Sequence, residues 1–182
     1  MNSRPTVVLF VCLILSLVSC SFATHAGDGV LIPDVPFFSQ EAYQCGPTAL
    51  AIVLNYWYKK AGTTYYVTPD QIAAEIYSPS AKGVLGVDLE LYGRRKGFRA
   101  RQYSSSLADL RYNVDHGIPV IAFVDYGFLT YEAGHFMVVK GYSQTGIIVD
   151  SGRKENHTVS VREMEKVWKR NGYWALVLEP SS

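Results

Sequence analysis

An α+β fold, helices first and then a largely antiparallel sheet, is what the order of patterns along these 182 residues predicts. Two observations carry it. From residue 45 to about residue 116 apolar positions recur at three- and four-residue spacing behind capping signals, as helices with one buried face require. From residue 119 onward the apolar runs are short, β-branched and bounded by turn residues, which is how core strands read. No linker divides the chain, so the two halves belong to one domain of two sub-lobes, with a cleft between them as the natural ligand site.

The chain begins with a segment that is not expected in the fold. Arg4 precedes an apolar core, Val7–Leu17, and the run from Val7 to Cys20 is shorter than the roughly 20 apolar residues of a membrane span. Residues 1–19 therefore read as a signal peptide. The ending Leu17-Val18-Ser19-Cys20 resembles the bacterial lipobox, which implies that Cys20 carries a lipid anchor. Ser21 is not the aspartate associated with inner-membrane retention, so an outer-membrane lipoprotein facing the periplasm is implied. The alternative is a signal cut near Ala23 or Ala26 and a secreted or periplasmic soluble protein. Residues 20–30 are small and polar, a tether, and the folded domain is expected over residues 31–182.

Leu31–Phe38 reads as an extended segment broken by two prolines. In Gln40–Asn55 (QEAYQCGPTALAIVLN) Leu50, Val53 and Leu54, with Trp57 beyond, mark a helix that Pro47 can open without losing a hydrogen bond. Thr68-Pro69-Asp70-Gln71 is a capping box opening a second helix to about Tyr77. After a loop over Ser78–Gly86 a third helix is expected over Val87–Lys96, closed by Gly97. Phe98–Tyr103 reads as a strand, and Ser106–His116 as a helix stopping at Gly117. Strands are expected at Pro119–Val124, His135–Tyr142, Gly146–Asp150 and Tyr173–Leu178, with a helix over Ser160–Arg170 capped by Ser160 and Glu163.

Composition removes several classes of function. The net charge is +1, from 17 basic and 16 acidic residues, with no basic run, phosphate-binding glycine loop or repeat, so nucleic acid is not an expected partner. Of the three cysteines, Cys12 lies in the signal core and Cys20 at its end, which leaves Cys45 as the free thiol of the folded part. No internal disulfide or cysteine-based metal cluster is then possible, and no cofactor or metal is expected. Membrane contact is expected only through the anchor. A groove for an extended partner draws on aromatic loop residues, with Tyr43, Tyr126, Tyr131 and Trp174 as candidates.

Cys45 stands at a helix N-terminus, where unpaired N–H groups and the positive end of the dipole favour the thiolate. A thiolate nucleophile needs a base, and the base needs a third group to orient it. Of the four histidines, His25 lies in the tether, His116 at a helix C-terminus, and His157 in a turn with Asn156 and Thr158. His135 opens an apolar strand after Gly134, where a ring can face a cleft while the strand fixes it. Asp150 ends the next strand, and antiparallel pairing would bring it to the same end of the sheet as His135, to set the ring tautomer. Gln40, five residues before Cys45, is the expected oxyanion donor together with the Cys45 N–H, and Gln44 ranks second because a side chain beside the nucleophile points away from it.

Gln40, the run Cys45-Gly46-Pro47-Thr48-Ala49-Leu50, the run Gly134-His135-Phe136-Met137-Val138-Val139, and Val149-Asp150-Ser151 together resemble the papain-like cysteine peptidases that process bacteriocins by cutting leader peptides after a double glycine. The likeness spans about residues 33 to 178. It implies the papain-like fold, with the active site in the cleft between a helical sub-lobe and an antiparallel sheet. It assigns Cys45 as nucleophile, His135 as base, Asp150 as orienting acid and Gln40 as oxyanion donor. Two departures stand out: Ser151 follows the aspartate where many members have proline, and Gln40 is one residue nearer the cysteine than in many. The chain shows no transporter or nucleotide-binding segment and looks like a standalone, exported member.

The expected function is hydrolysis of a peptide bond in a peptide or protein substrate, outside the cytoplasm, through a thioester acyl-enzyme. The alternatives are a thiol acyltransferase, in which an amine resolves the thioester, and a catalytically silent peptide-binding module of the same fold.

Overall fold

A computed structural model describes residues 29–40, 44–127 and 133–181. The expectations for the signal segment, for Cys20 and His25, and for Tyr43 and Tyr131 lie outside the described residues. The elements run β1 (Val30–Leu31), α1 (Cys45–Lys60), α2 (Pro69–Ile76), α3 (Gly86–Arg95), β2 (Phe98–Ser104), α4 (Leu107–Asp115), β3 (Val120–Asp125), β4 (Gly134–Tyr142), β5 (Gly146–Ser151), β6 (Lys154–Ser160), α5 (Val161–Lys169) and β7 (Trp174–Pro180). The α+β plan holds, with three helices before the first long strand.

α1 is the centre of the molecule. A helix with a single buried face is expected, but every residue from Gly46 to Trp57 is buried. The cause is in the composition: Ala49, Leu50, Ala51, Ile52, Val53 and Leu54 are consecutive, and a helix apolar all round must be enclosed. It packs against α2 and α3 on one side and against β4, β3 and β7 on the other. Of its buried polar side chains Asn55 is satisfied, its Nδ2 donating to Val67 O at 2.7 Å and its Oδ1 accepting from Val67 N–H at 3.0 Å, whereas the buried Thr48 hydroxyl has no partner among the described residues.

The caps form where the residues predict them. Thr68 and Gln71 exchange the two bonds of a capping box, at 2.8 and 3.2 Å. Ser106 and Ser160 accept from the N–H groups of Asp109 and Glu163. Gly97, just past α3, takes φ +88°, the left-handed conformation glycine adopts without strain.

The strands make one antiparallel sheet in the order β2-β7-β3-β4-β5-β6, with β1 on the far end of β4. Two strands escape the sequence reading. β1 is two residues long. β6 (KENHTVS) carries no apolar run: as the edge strand it buries only Val159 fully, with His157 half-buried. His157 is therefore a strand residue paired with Val149, not a turn residue.

Candidate active site

Cys45 is the first residue of α1, and its thiol is half-buried. Gln44 precedes it without capping the helix; its Nε2 donates instead to Asp70 Oδ1 at 2.9 Å. The first-turn N–H groups of α1 thus have no side-chain acceptor and keep their affinity for negative charge beside Cys45. The helix start is pressed onto β4: a Cβ at Gly46 would lie 3.3 Å from Phe136 Cδ2 and 2.1 Å from Val84 Cγ2. Gly46 follows Cys45 and Phe136 follows His135, so the close approach of α1 to β4 falls at the neighbours of both.

His135 is the second residue of β4, opposite Val124. Gly134 before it is required, since a Cβ there would come within 2.6 Å of Phe123 Cζ. The ring is half-buried, and burial pushes its pKa below the ordinary histidine value, favouring neutral imidazole. Its Nε2 shares a hydrogen bond of 2.9 Å with Ser151 Oγ. Tyr126 flanks it at 6.3 Å between ring centroids, and the opening beside it is also lined by His157 and Glu163.

Asp150 does not orient this ring. It sits opposite Val138 and shares that residue's face, whereas Ser151, the next residue, turns to the face of His135. Antiparallel pairing does bring residues 135 and 150 to the same end of the sheet, but strand alternation assigns them to opposite sides. Asp150 is instead fully buried, its Oδ2 2.8 Å from Lys140 Nζ and its Oδ1 accepting from Asn156 N–H at 2.9 Å. Burial pushes its pKa up, while the Lys140 ammonium and the Asn156 N–H pull against that.

Gln40 is half-buried, and its backbone N–H donates to Gly152 O at 3.1 Å. The segment carrying it is therefore fastened to the β5–β6 turn one residue past Ser151. Trp174 is a packing residue: it meets Phe136 and Phe123 edge-on and donates from Nε1 to Gln102 Oε1 at 2.9 Å. His116 stays exposed at the end of α4, its Nδ1 2.7 Å from Tyr112 O. Two residues of interest were missed as site residues, Ser151 and Lys140. No local pattern signals the first, because the face of residue 151 relative to 135 is set by the β4–β5 register and its shift between Val139 and Gly141. The signal for the second is a lysine inside the apolar run HFMVVKGY.

Among the described residues no three His, Cys, Asp or Glu side chains come together in a way that would hold a metal ion. None of their helices is long and apolar enough to cross a membrane.

Residues 32–176 match the model of the peptidase C39-like family. No curated protein matches the chain. Among solved structures, one described as a C39-like peptidase from Bacillus anthracis superposes with a TM-score of 0.69 at 21% identity, covering 86% of this chain and 100% of that one. A double glycine motif protease from an AMS/PCAT transporter, solved with its leader peptide, gives a TM-score of 0.62 at 22% identity over 81% of this chain and 92% of that one. The peptidase domain of Streptococcus ComA, a bi-functional ABC transporter of a quorum-sensing pathway, gives 0.62 at 20% identity over 84% and 98%. These likenesses show a shared papain-like fold.

Proposed function

Because the chain belongs to the peptidase C39-like family and is a cysteine peptidase, we propose that Cys45 is its nucleophile, His135 its general base and Ser151 the group that holds the base. The observation that carries this reading is the 2.9 Å bond between His135 Nε2 and Ser151 Oγ, made beside the place where α1 meets β4. With one ring nitrogen held by Ser151, the other is left for the thiol proton.

The Cys45 sulfur attacks the carbonyl carbon of the scissile bond, and the negative charge moves to the carbonyl oxygen. The first-turn N–H groups of α1 and the Gln40 side chain stabilise that oxyanion. The C–N bond then breaks, and the departing amine takes the proton held on the His135 ring. A water molecule, deprotonated by the same ring, attacks the thioester; the C–S bond breaks and the thiol recovers its proton. A hydroxyl in place of a carboxylate leaves the ring oriented but without a counter-charge, so imidazolium is stabilised less than beside an acid.

Iodoacetamide tests the pairing directly. Cys45 should react much faster than a free thiol at neutral pH, and His135→Ala should remove the excess. Reaction unaffected by His135→Ala would refute the pairing and favour the peptide-binding alternative. Gln40→Ala should lower turnover about 10²-fold and leave the alkylation rate unchanged; a joint fall would make Gln40 a support of its loop. Amine acceptors competing with water for the thioester would point to acyl transfer. We further propose that the substrate is a peptide or protein outside the cytoplasm and that Cys20 carries a lipid anchor. Palmitate incorporation lost in Cys20→Ser supports the anchor, and none in the wild type refutes it.

A further inference from the structure

We propose that Lys140 and Asp150 are positioning residues of the peptidase site, a buried clamp that keeps Ser151 against His135. The inference rests on the assignment of His135 as base and adds to it two residues that touch no substrate. Lys140 and Asp150 are 4% and 1% exposed at their side chains and lie 2.8 Å apart. A buried ion pair is poor evidence for stability, because desolvation offsets most of its attraction, so its retention calls for another reason.

The reason lies in the strand registers. Lys140 is the extra residue where the β4–β5 pairing shifts, between Val139 and Gly141. The β5–β6 pairing shifts a second time between Val149 and Ser151, with Asp150 between them. Backbone pairing is thus irregular at Asp150 on the β6 side and just beyond Val149 on the β4 side, where a one-residue slip would turn the Ser151 hydroxyl to the wrong face. Asp150 spans the gap: one oxygen meets Lys140 on β4 and the other accepts from Asn156 on β6. Asn156 itself has φ +51°, a conformation asparagine tolerates but that a fastened turn must hold in place. Glu155 adds a weaker contact, 3.8 Å from Lys140 Nζ.

Two double variants test the clamp. Lys140→Met with Asp150→Leu removes both charges together and leaves no buried ion unpaired. It should unfold within a few degrees of the wild type, yet Cys45 alkylation at pH 7 should fall at least tenfold, towards the His135→Ala rate. The His135 ring titration followed by NMR should move from its wild-type midpoint. Lys140→Met with Asp150→Asn keeps an oxygen for the Asn156 N–H and should recover part of both. A folded leucine variant with the wild-type rate and titration overturns the proposal, and so does equal loss in the two variants. If the leucine variant does not fold, the asparagine variant is scored alone: a smaller displacement of the ring midpoint supports the clamp, and a wild-type midpoint overturns it. His135→Ala without effect on alkylation would remove the base assignment and the clamp with it, whereas an effect of His135→Ala alone would remove only the clamp.

Discussion

Replacing Ser151 by aspartate puts a carboxylate where a hydroxyl now meets the His135 ring at 2.9 Å. Two unit charges about 4 Å apart at an effective dielectric constant of about 20 attract by about 4 kcal/mol. At about 1.4 kcal/mol per pH unit that sets a ceiling of about three units on the rise of the ring pKa. The buried Asp150 next door raises the cost of a second carboxylate, so a net rise of about one to two units is expected. In the wild type the folded ring titrates below the unfolded value of 6.5 because it is desolvated. The unfolded chain then binds more protons, and stability falls as the pH drops below about 6.5. In Ser151→Asp the folded pKa rises towards the unfolded one, so the loss of stability below about 6.5 shrinks, and the sign reverses once the new midpoint passes the unfolded value. Ring NMR titration of the Cys45→Ser background gives the midpoints, and urea unfolding at pH 5 and pH 8 gives the linkage. A His135 midpoint unmoved by Ser151→Asp would mean that residue 151 does not touch the base, and the assignment of Ser151 would fail.

Further consequences are as direct. Asp150→Ala strands the Lys140 ammonium in the core and should cost about 3–5 kcal/mol in denaturant unfolding. Asn55→Ala leaves the backbone N–H and C=O of Val67 unpaired and should cost about 2–4 kcal/mol by the same assay. Gly46→Ala directs a methyl at Val84 Cγ2, 2.1 Å away on a stiff β-branched side chain of the loop before α3, so the start of α1 and that loop must part; Cys45 alkylation should slow several-fold, and an unchanged rate would show that the helix start tolerates displacement.

Local chemistry was legible in the residues to a considerable depth. Thr68 and Gln71 announce their capping box, and the β-branched runs of β3, β4 and β5 announce a sheet, because each signal depends only on residues close in sequence. His135 stands apart from the other histidines for the same reason. What stayed hidden depends on partners. β6 reads as loop because an edge strand needs few apolar residues, so Lys154–Ser160 leaves no periodic trace. The choice between Asp150 and Ser151 turns on which face each residue takes, and that is settled by the register with β4, including a bulge at Lys140 that no local pattern signals. A carboxylate is the usual partner for a catalytic imidazole, whereas the His135 ring bonds the hydroxyl one residue further on.

The smallest strand has a mechanical implication. β1 joins the sheet only at Tyr142 and Gly141, and Ile32 N–H adds one more bond to Lys140 O. Tyr142 lies seven residues along β4 from His135 (135 to 142), about 23 Å at the usual rise of a strand. Tension on the leading end of the polypeptide is therefore received at the margin remote from the imidazole, and the first bonds to shear are those of a two-residue stitch. The path inward from that stitch runs through Lys140, which accepts from Ile32 N–H and meets Asp150 beside Ser151.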